Sequence, residues 1–156
     1  MKKYAFLLIF LFLMFSCKKE KVNSDQKNEP IPYTKPNTET LVIGTFPFPD
    51  GIDGCSCYYA RDEKDFDAEK YIYADNFGKE SQMKINEKKE IFELKNQDFD
   101  PSAFSYQLEN GNYRVEVSGK KISNEDEVIR IRGKITVKDK KTGAKTDTAI
   151  YGECGC

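Results

Sequence analysis

The sequence predicts an all-β domain, an antiparallel barrel or sandwich of about eight or nine short strands, set behind a leader and a tether. Apolar and polar residues alternate with period two through much of residues 41–156, while helical period is almost absent. Breaks rich in Gly, Asn and Lys separate the alternating runs at hairpin spacing. One long run tilts the choice toward a barrel or strongly curved sheet. Ile129, Ile131, Gly133, Ile135 and Val137 face one way, Arg130, Arg132, Lys134, Thr136 and Lys138 the other, and Gly133 sits mid-row where a bulge or bend would let the strand curve.

The first element is residues 1–16. Lys2 and Lys3 give a positive start, Ala5 to Phe15 an 11-residue apolar run, and Ser16 a small residue directly before Cys17. A membrane-crossing helix needs ~20 apolar residues, so this run reads as a secretory signal peptide. Its end, Leu13-Met14-Phe15-Ser16-Cys17, resembles the lipobox of bacterial lipoproteins, in which the cysteine is acylated and becomes the mature N-terminus. That resemblance implies lipidation at Cys17 and attachment to the membrane through the acyl chains, each buried CH₂ contributing ~0.8 kcal/mol. Lys18-Lys19-Glu20 lacks the Asp that marks inner-membrane retention in such lipoproteins, which implies the outer membrane, facing the periplasm or the cell surface.

Residues 17–40 hold Pro30, Pro32 and Pro36 among Lys, Glu, Asn and Thr, and have too little apolar surface to offset chain entropy. They read as a disordered tether spanning about 26 Å root-mean-square. The β domain is expected over 41–156, one core's worth of chain.

Strands are expected at 41–46, 55–60, 70–75, 81–86, 91–95, 104–109, 112–118, 127–139 and 146–154. The first runs into the rigid apolar loop Phe46-Pro47-Phe48-Pro49-Asp50-Gly51. In the third, Tyr71 and Tyr73 share a face opposite Ile72. Met83 and Ile85 alternate with Gln82 and Lys84, Phe92 and Leu94 with Glu93 and Lys95, and Tyr113, Val115 and Val117 with Arg114 and Glu116. Asn86 to Lys89, Asn110-Gly111-Asn112, Ser118 to Glu127 and Lys140 to Gly143 are the breaks between them. The acidic stretch Arg61 to Glu69 reads as a solvated loop, since it lacks the turn-forming glycine of a calcium site. Asp98-Phe99-Asp100-Pro101 reads as a turn.

Composition excludes several kinds of chemistry. With 25 basic and 26 acidic side chains the chain carries no basic field for nucleic acid. It has no His, which removes every imidazole-based nucleophile pair. No catalytic residue and no cofactor is expected.

Four cysteines carry the chemical content: Cys55-Ser56-Cys57 and Cys154-Gly155-Cys156. Residues two apart on a strand share a face, so each pair presents its sulfurs side by side. In an oxidising envelope they favour disulfides. Three connectivities exist, and cross-pairing is favoured because a crosslink closing a loop of roughly 100 residues is worth ~4–5 kcal/mol in the chain-entropy model. Antiparallel neighbours would join Cys55 to Cys156 and Cys57 to Cys154. A tetrathiolate metal site and a redox dithiol on Cys55, Cys57, Cys154 and Cys156 are the alternatives.

Two surfaces suit a protein or glycan partner in the envelope, the Tyr71/Tyr73 pair and the Phe46/Phe48 loop. In outline the domain resembles the small lipoproteins that carry an eight-stranded barrel, including the membrane-bound lysozyme inhibitors, whose hairpin is loosely similar to Gln82–Lys89. That likeness implies a non-catalytic binding or structural role for a lipid-anchored envelope lipoprotein. It transfers no inhibitory residue.

Overall fold

The computed structural model of the chain describes residues 40–52, 54–77, 80–99 and 103–156. The leader, Cys17 and the tether through residue 39 lie outside the described residues. The elements are β1 (Ile43–Gly44), β2 (Ser56–Ala60), α1 (Glu63–Asp67), β3 (Tyr73–Asp75), β4 (Ser81–Ile85), β5 (Lys88–Phe99), β6 (Ala103–Glu109), β7 (Tyr113–Glu125), β8 (Val128–Asp139) and β9 (Lys145–Gly155).

From β2 to β9 each strand pairs antiparallel with the next, and β9 returns to pair with β2, so eight strands close into an up-and-down barrel. Of the two expected architectures it is therefore the barrel that forms, and closure removes the exposed edges a sandwich would leave. β1 is the ninth strand. It pairs with the last residues of β4, Ile43 with Ile85 and Gly44 with Lys84, beyond the point where β3 stops. The Arg61 guanidinium donates to the Ile43 carbonyl and fastens β1 toward β2.

Alternation explains the core. Val115 and Val117 of β7, Ile131, Ile135 and Val137 of β8, Met83 and Ile85 of β4 and Leu108 of β6 are all buried inside the barrel. Each fully buried aliphatic or aromatic side chain contributes roughly 1.5–3 kcal/mol. At Gly133 the ladder is unbroken and no bulge forms: Ser118, Gly119 and Lys120 pair in sequence with Lys134, Gly133 and Arg132. A Cβ on Gly133 would lie 2.0 Å from the Ser118 carbonyl oxygen, so only glycine permits this approach.

Turn chemistry matches local sequence. Asn86 and Glu87 both adopt positive φ, 49° and 64°, as the two-residue β4–β5 hairpin requires. Asp139 closes the β8–β9 turn by accepting from the Lys141 and Thr142 amides at 2.7 Å each.

Three segments differ from expectation. β5 runs from Lys88 to Phe99, past the expected end at 95, and Asp98 and Phe99, expected in a turn, pair with Ser105 and Phe104 of β6. β7 does not end at 118 but continues to Glu125, with a bulge between Lys121 and Ser123 and a turn at Asp126 and Glu127. Beyond Lys120 it pairs, among the described residues, with β8 and no longer with β6, so this stretch is a sheet edge whose residues are mostly exposed and show no apolar alternation. Residues 61–69 contain α1 where a loop was expected. Asp62 caps it, accepting from the Asp65 amide at 2.8 Å, and its single turn is too short to show a helical period.

Candidate functional site

The site begins at the seam where the barrel closes. Cys57 of β2 lies opposite Cys154 of β9 in the ladder, and the two form a disulfide. Cys55 and Cys156 form the second. The first and last barrel strands are antiparallel neighbours, so the cysteines join in the order that such neighbours dictate. The bridges span 97 and 101 residues of chain. All four sulfurs are consumed in them, so the tetrathiolate alternative does not form here.

Parity then carries the chain inward. Tyr59 follows Cys57 by two positions and Tyr73 pairs with it across β2 and β3. Tyr106 enters from β6, on the same face as Leu108. These residues border a cavity of about 410 Å³ that opens beside the Cys57–Cys154 disulfide. Its wall is mostly apolar, with Leu94, Phe104, Leu108, Ile129 and Ile131, and the exposed Phe77 and Lys121 also line it. The volume falls within the ~300–1,000 Å³ typical of small-molecule pockets, and eight strands are about the smallest barrel that can hold a ligand.

The floor is polar and satisfied. Tyr73 donates its hydroxyl hydrogen to Asp75 Oδ2 at 2.6 Å, and Ser81 Oγ lies 3.0 Å from the same hydroxyl. Asp75 Oδ1 accepts from the amides of Phe77 at 2.8 Å and Cys57 at 3.2 Å. Tyr106 donates to Tyr59 at 3.0 Å, and Tyr59 reaches the Cys154 sulfur at 3.3 Å. Tyr59 and Tyr73 stack with ring centroids 4.9 Å apart.

Burial sets the electrostatics. It holds the hydroxyls of Tyr59, Tyr73 and Tyr106 well above the ordinary tyrosine range, so all three stay neutral. It also raises the Asp75 carboxyl, against the opposing pull of hydrogen bonds from Tyr73, Phe77 and Cys57. Asp75 is 5% exposed, and none of the ion pairs among the described residues includes it.

The expected contact pair Tyr71/Tyr73 is not an exposed pair. The chain bends at Ile72, so Ile72 and Tyr73 both enter the core and the period-two reading fails across that point. Tyr71 leaves the core to join Phe48, Tyr58 and Phe66 on the other side of the wall, in edge-to-face contacts of 5.2–6.0 Å. Phe66 of α1 also stacks on Tyr58 and meets Tyr151, so this cluster is a satellite core under the helix. Within it Tyr58 donates to Glu153 at 3.1 Å, and burial with that carboxylate pushes its hydroxyl up to about 12. Phe46 is half-buried and bridges to Tyr71 through the backbone, which leaves Phe48 the most exposed of the four expected contact residues.

Tyr59, Asp75, Ser81 and Tyr106 were not singled out by sequence. Tyr59 alone had a usable signal, its parity with Cys57. The others come from separate strands and converge only on closure. Compared with known proteins, the chain matches no family model, no curated protein and no solved structure.

Proposed function

We propose that this is a lipid-anchored envelope lipoprotein, held in the outer membrane through Cys17, whose barrel binds a small, largely apolar ligand in a non-catalytic role. The observation that carries the binding reading is the cavity. Protein interiors are close-packed, and eight strands ordinarily enclose just enough room for their own side chains. A space of about 410 Å³ beside a satisfied polar floor is what a binding barrel needs. The leader, the cysteine directly after Ser16 and the polar tether support the anchoring half.

Binding is tested with a neutral apolar dye such as N-phenylnaphthylamine. Saturable binding is expected, and Ala103→Trp, which puts a large ring into the cavity wall, should abolish it. Dye binding indifferent to that substitution, or absent from the wild type, rejects the reading. For anchoring, labelling with radioactive fatty acid should mark the wild type and not Cys17→Ser. Label that survives the substitution rejects the anchor.

A further inference from the structure

We propose that the ligand is a protonated amine with an apolar body, its ammonium seated on Asp75. This rests on the cavity-binding reading above and narrows it.

The first ground is the inventory of hydrogens around the floor. A carboxylate offers about four lone-pair positions. Asp75 uses two on Oδ1, for the Cys57 and Phe77 amides, and one on Oδ2, for Tyr73. One acceptor position on Oδ2 is left. The hydroxyl donors of the floor are spent: the Tyr73 hydrogen goes to Asp75, the Tyr106 hydrogen to Tyr59, and the Tyr59 hydrogen to Cys154, whose disulfide sulfur has none to give, while Gln97 and Lys121, the other side-chain donors along the cavity, are exposed. Ser81, facing a tyrosine oxygen whose hydrogen is already committed, donates to it. The floor therefore presents lone pairs, and its complement is a donor. An ammonium has three donors and no acceptor.

Charge is the second ground. A buried carboxylate without a cation is costly, and no cation among the described residues pairs with Asp75. Lys121 borders the cavity, but it is exposed and forms none of those pairs. Aromatic faces supply the third ground, since the Tyr59 and Tyr73 rings can attract a cation and Phe104 and Leu94 can cover its apolar body. A carboxylate ligand would meet Asp75 and lone pairs. A neutral ligand would leave Asp75 uncompensated. Burial's upward push on the Asp75 carboxyl agrees with a site completed by an external cation.

The test compares three probes of similar shape, phenethylamine, phenethyl alcohol and hydrocinnamate, by calorimetric titration of the full chain at neutral pH. The amine should bind tighter than the alcohol by roughly tenfold or more, and the carboxylate weakest. Asp75→Asn, checked for folding by circular dichroism, should bring the amine-to-alcohol ratio to about one while the alcohol still binds. If that variant does not fold, the wild type titrated at acidic pH replaces it. There the amine's advantage should shrink as Asp75 gains its proton, with Tyr59, Tyr73 and Tyr106 neutral throughout. Equal binding of amine and alcohol to the wild type overturns the amine proposal and leaves the cavity reading intact. Failure of all three probes overturns both.

Discussion

In the half of the barrel interior away from the cavity, Met83, Ile85, Phe92, Val115, Val117, Ile135 and Val137 are each no more than 1% exposed, and all are apolar. The half beside the disulfides is built from the same strands with the same alternation, yet it places three tyrosines, a carboxylate and a serine around open space. Pattern alone is equal in the two halves. What differs is side-chain class: aliphatic residues interdigitate until no room is left, whereas long tyrosines engaged to one another by their hydroxyls hold a gap between the strands. The first half stabilises the fold and the second half is free to be specific.

The comparison is broken most severely by hollowing the packed half. Phe92→Ala should cost about 3–5 kcal/mol, read from the denaturant midpoint at unchanged slope. A cost under ~1 kcal/mol would mean that the packed half is not close-packed.

Removing both disulfides by substituting all four cysteines with serine should cost about 2–5 kcal/mol and expose the amides of β2 and β9 to hydrogen exchange first. The two bridges are not equivalent additions. With Cys57–Cys154 intact, the Cys55–Cys156 bridge closes only the two residues beyond it on each strand, so Cys55→Ser with Cys156→Ser should cost under about 1 kcal/mol. Two equal, additive losses would contradict the shared-loop picture.

Smaller again is the effect of trimming the cavity wall. Ile129 is only partly buried and borders space that already exists, so Ile129→Ala should cost on the order of 1 kcal/mol, well below its packed counterpart Ile135→Ala at about 2–5. Equal losses would erase the distinction between the halves.

The subtlest contrast is with pH. Burial raises the Asp75 carboxyl in the folded chain above its value in the unfolded chain. Below the ordinary carboxylate pKa both states are protonated and this group's contribution is fully favourable. As pH climbs from there through the raised folded value, the unfolded state loses its proton first and stability falls. Asp75→Asn should flatten that segment of the stability profile, and a wild type flat across it would contradict the burial effect.

Much of this was legible in the chain. Ile131, Ile135 and Val137 face inward as their alternation requires, because a barrel wall has one dry face and a one-residue slip would expose the whole row. The seam followed from two Cys-X-Cys units near the two ends of one domain. The cavity was not legible, since Tyr59, Tyr73 and Tyr106 lie on three strands and nothing local says that their hydroxyls meet. Tyr73 was misplaced because a bend at a single residue, Ile72, reverses parity without a Gly or Pro to announce it. Asp75 ends the strand expected at 70–75 with no signal of its own, and only the fold shows its carboxylate buried against the cavity with the Cys57 and Phe77 amides on it.

The Cys55–Cys156 bridge joins Cys156, just past β9, to the residue just ahead of β2. Residues 55–156 are thereby a covalent ring, with the preceding segment attached as a branch. A protease that nicks the exposed β7–β8 tip at Asp126 and Glu127 would create two new ends and still leave one molecule, separable into fragments only by a reductant. Those same ends could be built in from the start. A gene that joins position 156 to 55 through a short peptide linker and opens at that tip would encode the identical strand order by another route around the circle.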